Sequence, residues 1–358
     1  MKKWLLALVL CLGMSTAAQA QYRLIVPQAP GGGTSVWASV MAPHLSRTLG
    51  EPVVVEHIPG ANDVPGFNRF HNELQRDAKT IMVAHGGNAE SFLTDRVDYN
   101  YRDYAPIALV NLNIVVSHRR DFNPYQDTVR FGSTSGRRPD VMAIVMLICG
   151  PQPTVDAYID CYKRRMIFVK GMKPTDARLA ALRGELNVTR ETFVSHKKFI
   201  EPQTQKGVFN DWFHHGVLDI TSGINTADRN FATLPTFEQE YRRRWGQQPQ
   251  GDFYDAYRLV RSYRDVLQKS LWVGRDNPNA TRIRAAVQAM LADPEARAAI
   301  ERDGGDYDWL IGDQMTAAYQ TISSRITERS LRTLYEFTER GMGLEAVWKP
   351  ELIVRGRK

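Results

Sequence analysis

The sequence predicts an α/β protein of two domains, each a mostly parallel sheet flanked by helices. Short apolar segments typical of strands alternate with longer segments in which apolar residues recur at the helical period. A strand followed by a loop of small residues and then a helix occurs in both of the predicted domains. The chain of 358 residues is long enough for two domains.

The first 20 residues have the pattern of a secretory signal peptide. They read MKKWLLALVLCLGMSTAAQA, with Lys2 and Lys3 before an apolar run and Ala18-Gln19-Ala20 at the end. We therefore expect cleavage after Ala20 and export to the periplasm. No later segment is long and apolar enough to predict a membrane span.

The first strand of the mature chain, 24–26, ends in a glycine-rich loop. Three consecutive glycines precede Thr34 and Ser35, either of which is a suitable N-cap, and a helix follows. A helix N-terminus with free backbone N–H groups attracts anions. The segment lacks the lysine of a P-loop and the G-x-G-x-x-G pattern, so a carboxylate is favoured over a phosphate. The alternative is a flexible connection with no ligand.

The same order of elements continues to about residue 120. Strands are predicted at 52–56 and 80–84 and within 105–117, with a helix at 66–76. The strand at 80–84 ends in His85-Gly86-Gly87-Asn88, a second glycine loop. In open α/β sheets ligands bind at the carboxyl ends of strands, where both loops would lie.

A second unit begins near residue 121, and the last third is mainly helical. The predicted strands of the second unit are 128–131, 166–169, 185–189 and 217–220, and its helices are 141–148 and 176–183. The loop Gly132 to Gly136 follows its first strand, and Lys170-Gly171 follows its second. Helices are then predicted at 252–271, 279–303 and 313–341.

Composition and motifs exclude several classes of function. The net charge of +7 suits an anionic ligand, but no basic run is interleaved with aromatic residues, so nucleic acid is not expected. No H-E-x-x-H, C-x-x-C or G-x-S-x-G occurs, so we expect no metal, no cofactor and no catalytic residues. The histidines are assigned to surface or turn positions, His85 being a possible ligand contact. Solvated helix faces are predicted for Arg242, Arg243, Arg244, Arg261 and Arg264.

Two cysteines, Cys149 and Cys161, remain after the signal peptide. In an oxidising compartment they are predicted to form a disulfide that closes a short loop. Two buried free thiols are the alternative.

Several segments in order resemble the periplasmic receptors of tripartite tricarboxylate transporters, the Bug-type solute-binding proteins. They are LIVPQAPGGGTS, GEPVVVEHIPGA, DYAPIALV, the loop GSTSG, FVKGMKPTDARLAALRGELNV and MLADPEARAAIERDGGD. The resemblance is strongest over about residues 21–120. It implies a type II-like periplasmic binding protein that closes around a small organic acid and docks on membrane permease subunits.

The resemblance also implies where the domains and the site lie. Domain 1 would comprise 21–120 plus 223–358, and domain 2 would comprise 121–222. Loops of both domains would hold one carboxylate, largely through backbone N–H groups. The implied ligand-binding residues are Ala29, Pro30, Gly31, Gly32, Gly33, Thr34, Ser35, Gly86, Gly87, Asn88, Ser133, Thr134, Ser135, Gly136, Lys170 and Gly171. The receptor is expected to be a monomer.

Departures from the family pattern leave the ligand open. Gln28 replaces a usual aromatic residue, Ser35 replaces a usual aspartate, and Arg137 and Arg138 follow the GSTSG loop. Dicarboxylates, tricarboxylates, acidic amino acids and aromatic acids all fit. Two alternative functions stay open: the protein could be a ligand receptor for a membrane sensor kinase, or a secreted hydrolase.

Overall fold

A computed structural model describes residues 21–60, 63–136, 138–219 and 222–353 of the chain. The predicted signal peptide, 1–20, and Arg137 lie outside the described residues. Among the described helices, none combines the length and the apolar character that crossing a bilayer requires.

Two sheets and one short hairpin account for the strands. The first sheet contains β1 Tyr22–Val26, β2 Val53–His57, β3 Thr80–His85, β4 Tyr104–Val110, β12 Lys269–Gly274 and β13 Trp309–Ile311. The second contains β5 Ile114–Arg119, β6 Val129–Ser133, β7 Met166–Lys170, β8 Val188–Thr192 and β9 Phe209–His214. The hairpin pairs β10 Val217–Leu218 with β11 Asn225–Thr226.

The strand orders are β13-β4-β12-β3-β1-β2 and β7-β6-β8-β5-β9. The predicted α/β class with two sheets flanked by helices is confirmed, but both sheets are mixed, whereas the sequence predicted mostly parallel ones. β1 pairs parallel with β2 and β3, whereas β12 runs antiparallel between β3 and β4. β6 pairs parallel with β7 and β8, whereas β5 is antiparallel to β8 and β9.

Fourteen helices among the described residues surround the sheets. They are α1 Gly33–Leu49, α2 Val64–Arg69, α3 Gly86–Thr94, α4 Pro139–Cys149, α5 Val155–Arg165, α6 Pro174–Arg183, α7 Phe193–Ser195, α8 Glu201–Gln205, α9 Phe237–Trp245, α10 Asp252–Arg261, α11 Ala280–Ala292, α12 Pro294–Gly304, α13 Asp313–Ser323 and α14 Glu328–Glu336. π-Helical turns extend four of them: α2 by Phe70–Leu74, α7 by His196–Ile200, α10 by Ser262–Val266 and α14 by Phe337–Gly341.

The three long helices predicted in the last third are wrong in extent. The predicted helix 252–271 stops at Val266, because the next segment is the buried strand β12. Helix 279–303 is divided at Asp293, which caps α12 through Glu295 N, with Pro294 as its first residue. Helix 313–341 is divided because Thr327 caps α14 by accepting from Ser330 N.

One hydrophobic core connects both sheets. It contains Met82 of β3, Val116 of β5, Val145 of α4, Tyr257 of α10 and Leu331 of α14. Helices from the last third of the chain therefore pack against helices of the second sheet. The stacked rings of Phe253 in α10 and Tyr158 in α5 are one such contact. A second core lies beneath α1, α11 and the first sheet.

A disulfide joins Cys149 at the end of α4 to Cys161 of α5, with 6.1 Å between the two Cα atoms. It holds two successive helices of the second domain together.

Candidate functional site

The first glycine loop, residues 29–33, lies at the carboxyl edge of the first sheet. β1, β2 and β3 run parallel and end at Val26, His57 and His85, so the loops that follow them share this edge. Gly31 has a φ of +84°, a conformation that side chains other than glycine rarely adopt. Gly32 is the N-cap of α1, and within the described part of the chain this helix start has no side-chain cap. The sequence therefore leaves an uncapped helix N-terminus at the place where α/β sheets bind ligands.

Polar groups surround this N-terminus. Ser35 is buried, and its Oγ lies 2.7 Å from His57 Nε2. Thr34 is 1% exposed, and its Oγ1 has no hydrogen-bond partner among the described residues. The same holds for Oε1 of Gln28. A buried hydroxyl without a partner costs free energy, so these groups mark a position where a ligand or water would complete the hydrogen bonding.

The second glycine loop, residues 85–88, has a different environment. His85 is the N-cap of α3 and its ring nitrogen accepts from Gly87 N at 3.1 Å, while Asn88 Oδ1 accepts from His85 N at 3.1 Å. Asp63 lies 2.6 Å from His85 Nδ1. A Cβ on Gly86 would lie 2.3 Å from Gln268 Oε1. The protein's own side chains thus occupy this helix start, although sequence predicted Gly86, Gly87 and Asn88 as ligand contacts.

The two predicted loops of the second domain lie side by side. Ser133 of β6 pairs with Lys170 of β7, and Gly171 N donates to Ser133 O at 2.9 Å. A cavity of about 310 Å³ opens beside them. It is lined by Asp95, Thr134, Ser135, Gly136, Lys170, Leu344 and Glu345. Four predicted residues therefore meet in one cavity, whose lining does not include the first glycine loop.

Arg138 supports this second-domain loop from behind. Its Nη2 donates to Thr134 Oγ1, and the residue is 4% exposed. The other two nitrogens, Nε and Nη1, are buried without a hydrogen-bond partner among the described residues. Arg138 is also the N-cap of α4, which has no side-chain cap. A positive side chain and a helix N-terminus thus lie next to the predicted loop.

A buried polar cluster between α3, α4 and α10 was not predicted. Arg261 and Arg264, predicted to be solvated, are 0% and 1% exposed. The prediction is wrong because Arg261 ends the buried face of α10 and every residue of the π-turn Ser262–Val266 is buried, so charge in the sequence did not indicate exposure. Arg264 Nε lies 2.5 Å from Glu90 Oε1. Burial raises the pKa of Glu90 to about 7, with Arg264 opposing the shift and Asp140 and Asp265 adding to it.

Two histidines predicted at the surface or in turns are also in the interior. His214 and His215 are both 0% exposed. His215 lies 2.9 Å from Asp140 Oδ1 and 2.9 Å from the Tyr257 hydroxyl, so its hydrogen bonding is satisfied within the protein. Burial lowers the pKa of His214 to about 4. Among the described residues, no group of three His, Cys, Asp or Glu side chains is placed to hold a metal ion.

A larger cavity, of about 630 Å³, lies on the second domain and contains no predicted site residue. It is lined by His118, Arg120, Asp121, Phe122, Asn123, Pro124, Tyr125, Asp127, Asn210, Asp211, Trp212, Glu240 and Arg243. Several of its polar groups bond to each other, since the Tyr125 hydroxyl donates to Glu240 at 2.6 Å and Arg243 binds the same carboxylate.

Known structures resemble this chain over most of its length. The periplasmic binding protein BugD matches with 17% identity and a TM-score of 0.56, covering 91% of this chain and 98% of that one. MatC from Rhodopseudomonas palustris, solved with bound malate, has 17% identity, a TM-score of 0.56 and coverage of 88% and 98%. A second R. palustris protein, solved with adipate, has 14% identity, a TM-score of 0.57 and coverage of 88% and 97%.

Other comparisons give no match: no family model and no curated protein matches this sequence. At such low identity the structural likeness concerns the fold. The chain therefore has the two-domain α/β fold of the periplasmic binding proteins that it resembles.

Proposed function

We propose that this chain is a periplasmic receptor that captures a small organic carboxylate between its two domains and delivers it to a tripartite tricarboxylate transporter in the membrane. The observation that carries this proposal is the uncapped N-terminus of α1. Gly32 offers no side chain, and no other side chain caps the helix. The partial positive charge of the helix start and its free N–H groups are suited to a carboxylate.

Thr34 and Gln28 would complete the first-domain part of the site. The hydroxyl of Thr34 and the amide of Gln28 each contain a buried oxygen without a partner. A carboxylate accepts a hydrogen bond from the hydroxyl, and bound water can bridge to the amide oxygen. Gly31 and Gly33 have no atom within 4 Å of an added Cβ position, so the space in front of the loop is available to a ligand.

The second domain would supply the other wall. Thr134, Ser135, Gly136 and Lys170 line the 310 Å³ cavity, and this cavity also includes Asp95 at the end of α3. Closure of the two domains would bring these loops toward the first glycine loop. Since β4 and β5 lie in different sheets, we place the first crossing between Val110 and Ile114, a few residues earlier than the sequence predicted.

Several similar structures agree with this proposal. They include a periplasmic binding protein, a malate complex and an adipate complex. The predicted signal peptide and the ordered motifs at 21–120 add support from the sequence.

We infer that the protein acts by binding alone. A serine next to a histidine is the arrangement that a hydrolase uses, and Ser35 and His57 meet at 2.7 Å. However, the sequence around Ser35 has no G-x-S-x-G motif, and Ser35 Oγ is held by His57 within the first turn of α1.

The experiment is thermal unfolding of the mature protein, stripped of co-purified ligand, against organic acids, amino acids and neutral sugars. A ligand of the folded state raises stability by about 2.7 kcal/mol at a hundredfold excess over Kd. We expect a shift with one class of carboxylate and none with neutral sugars. No shift with any acid would contradict the proposal.

A further inference from the structure

The C-terminal residues 342–353, here called the C-terminal strap, reach the cavity of the second domain. Leu344 and Glu345 line the 310 Å³ cavity together with Thr134, Ser135 and Gly136 of the second-domain loop. The strap therefore forms a wall that is far along the chain from the loops predicted to bind the ligand.

The strap is fixed to the first domain through the end of α3. Val347 N donates to Thr94 O at 2.8 Å, and Lys349 Nζ donates to Phe92 O at 2.8 Å. Lys349 is 7% exposed, and a cation at a helix C-terminus is favourable. Farther along, Arg102 donates to the carbonyl oxygens of Glu351 and Leu352. These bonds hold the strap in one position relative to α3.

The start of the strap touches the second-domain loop without a gap. A Cβ on Gly136 would lie 2.4 Å from Met342 Cε and 3.0 Å from Leu344 Cδ1. A side chain at this position would therefore displace the ends of the Met342 and Leu344 side chains. One end of the strap is thus bonded to α3 and the other contacts the second-domain loop, so the strap forms one wall of the cavity beside that loop.

The chemistry of the wall is mixed. Thr134, Ser135 and Lys170 carry groups that suit a carboxylic acid, whereas Asp95 and Glu345 carry carboxylates, which repel a second anionic group of the ligand. Leu344 offers only an apolar side chain, which suits the hydrocarbon part of a ligand. Its volume limits how far that part extends.

We propose that Leu344 of the C-terminal strap is a specificity-determining residue that sets the longest carboxylic acid the receptor accepts. This inference rests on the proposed function, since it assigns the cavity to the far part of the ligand. It adds a residue that the family resemblance did not indicate.

The test is calorimetric titration of the mature protein with straight-chain mono- and dicarboxylic acids of increasing length. Leu344→Ala should move the preferred length upward and strengthen binding of an acid two methylenes longer by about tenfold, because each buried methylene adds to the affinity. Leu344→Phe should move the preferred length downward. Opposite shifts cannot come from loss of folding. Leu179→Ala, at a leucine of α6 that is 46% exposed, is the matched control.

A second experiment tests the contact between strap and loop. Gly136→Ala should weaken binding of every acid at least tenfold, and adding Met342→Ala should restore most of that loss by removing the atom that the new Cβ meets.

Two results separate this inference from the proposed function. If the wild type binds acids but both Leu344 variants keep its order of preference, or change all affinities by one factor, the length limit is wrong and the receptor proposal stands. If the wild type binds none of these straight-chain acids, the length limit is wrong, and the receptor proposal is decided by the broader panel of the thermal-unfolding experiment.

Discussion

The two glycine loops of the first sheet have similar sequences and opposite environments. Each follows a parallel strand and begins a helix, α1 or α3. At α3, His85 and Asn88 form a reciprocal cap. At α1 the N-cap is Gly32, and Ser35, three residues later, is bonded to His57. The comparison teaches that glycines alone do not make an anion site. The N-cap residue and the residue three positions after it decide whether the backbone N–H groups of the first helical turn stay available.

The largest expected effect is on binding at the uncapped loop. Gly32 has φ −69° and ψ 157°, which valine adopts readily, and an added Cβ meets only the flexible Gln28 side chain at 3.0 Å. Gly32→Val should therefore fold, yet its branched side chain would cover the helix N–H groups. We expect at least a hundredfold loss of affinity for the carboxylate found by thermal shift, about 2.7 kcal/mol. Titration calorimetry measures it.

The control for this variant is its own stability. We expect a change in the free energy of unfolding below about 1 kcal/mol, as for most changes that fit the backbone. Unchanged affinity in folded Gly32→Val would remove the first glycine loop from the site.

At the capped loop, residues 85–88, a glycine substitution should lower the stability of the protein. A Cβ at Gly86 would lie 2.6 Å from Arg264 Nη1 and 2.7 Å from Arg264 O, a backbone atom that cannot move freely. Gly86→Ala should therefore lower the free energy of unfolding by about 1–3 kcal/mol through overpacking. Denaturant unfolding checks this, with Gly32→Ala as the matched variant. Equal free energies of unfolding for Gly86→Ala and Gly32→Ala would contradict the proposed difference between the two loops.

The sequence predicted the positions of these loops but not their difference. Strands with period-2 or fully apolar patterns located both glycine loops, and the fold class followed from their alternation with helices. The start of α3 also contacts Asp63, which lies 22 positions from His85 and meets it only in the folded chain. Likewise His57, which engages Ser35, comes from another strand. Such contacts are tertiary, so local patterns do not contain them.

The cavity and the buried cluster were missed for related reasons. Leu344 and Glu345 reach the second-domain loop through a chain reversal after α14, which no periodicity signals. Arg264 was predicted to be solvated because arginine on a helix usually is. Its pairing with Glu90 offsets the free-energy cost of burying its charge. The predicted helix 252–271 includes the first three residues of β12, although all six residues of this strand are buried in the sheet.

The third prediction uses the charge beside the capped loop. The pKa of Glu90 is raised by burial to about 7, above the 4.5 of an unperturbed glutamate. The folded state then binds more protons than the unfolded state between these values, so this contribution to stability is present below pH 4.5 and is lost as the pH rises to 7. The free energy of unfolding of the wild type should fall by on the order of 1–2 kcal/mol over this pH range because of Glu90, and Glu90→Gln should not show this fall.

Denaturant unfolding of wild type and Glu90→Gln between pH 4.5 and 8 isolates this contribution, since all other groups are shared. Parallel stability profiles of the two proteins across that range would show that Glu90 stays ionised beside Arg264.

The smallest effect compares one threonine at each helix. Thr34 of α1 and Thr94 of α3 are both 1% exposed, but only Thr94 has a partner, the carbonyl oxygen of Glu90 at 3.1 Å. Thr34→Val deletes an unpaired hydroxyl, so stability should stay equal or rise by up to about 1 kcal/mol, whereas Thr94→Val should cost about 0.5–1.5 kcal/mol. Carboxylate affinity should fall severalfold in Thr34→Val if the hydroxyl donates to the ligand. Thermal unfolding with and without ligand gives both quantities. A stability loss in Thr34→Val equal to that in Thr94→Val would mean that the hydroxyl at α1 already has a partner, and that this helix start is not the vacant one.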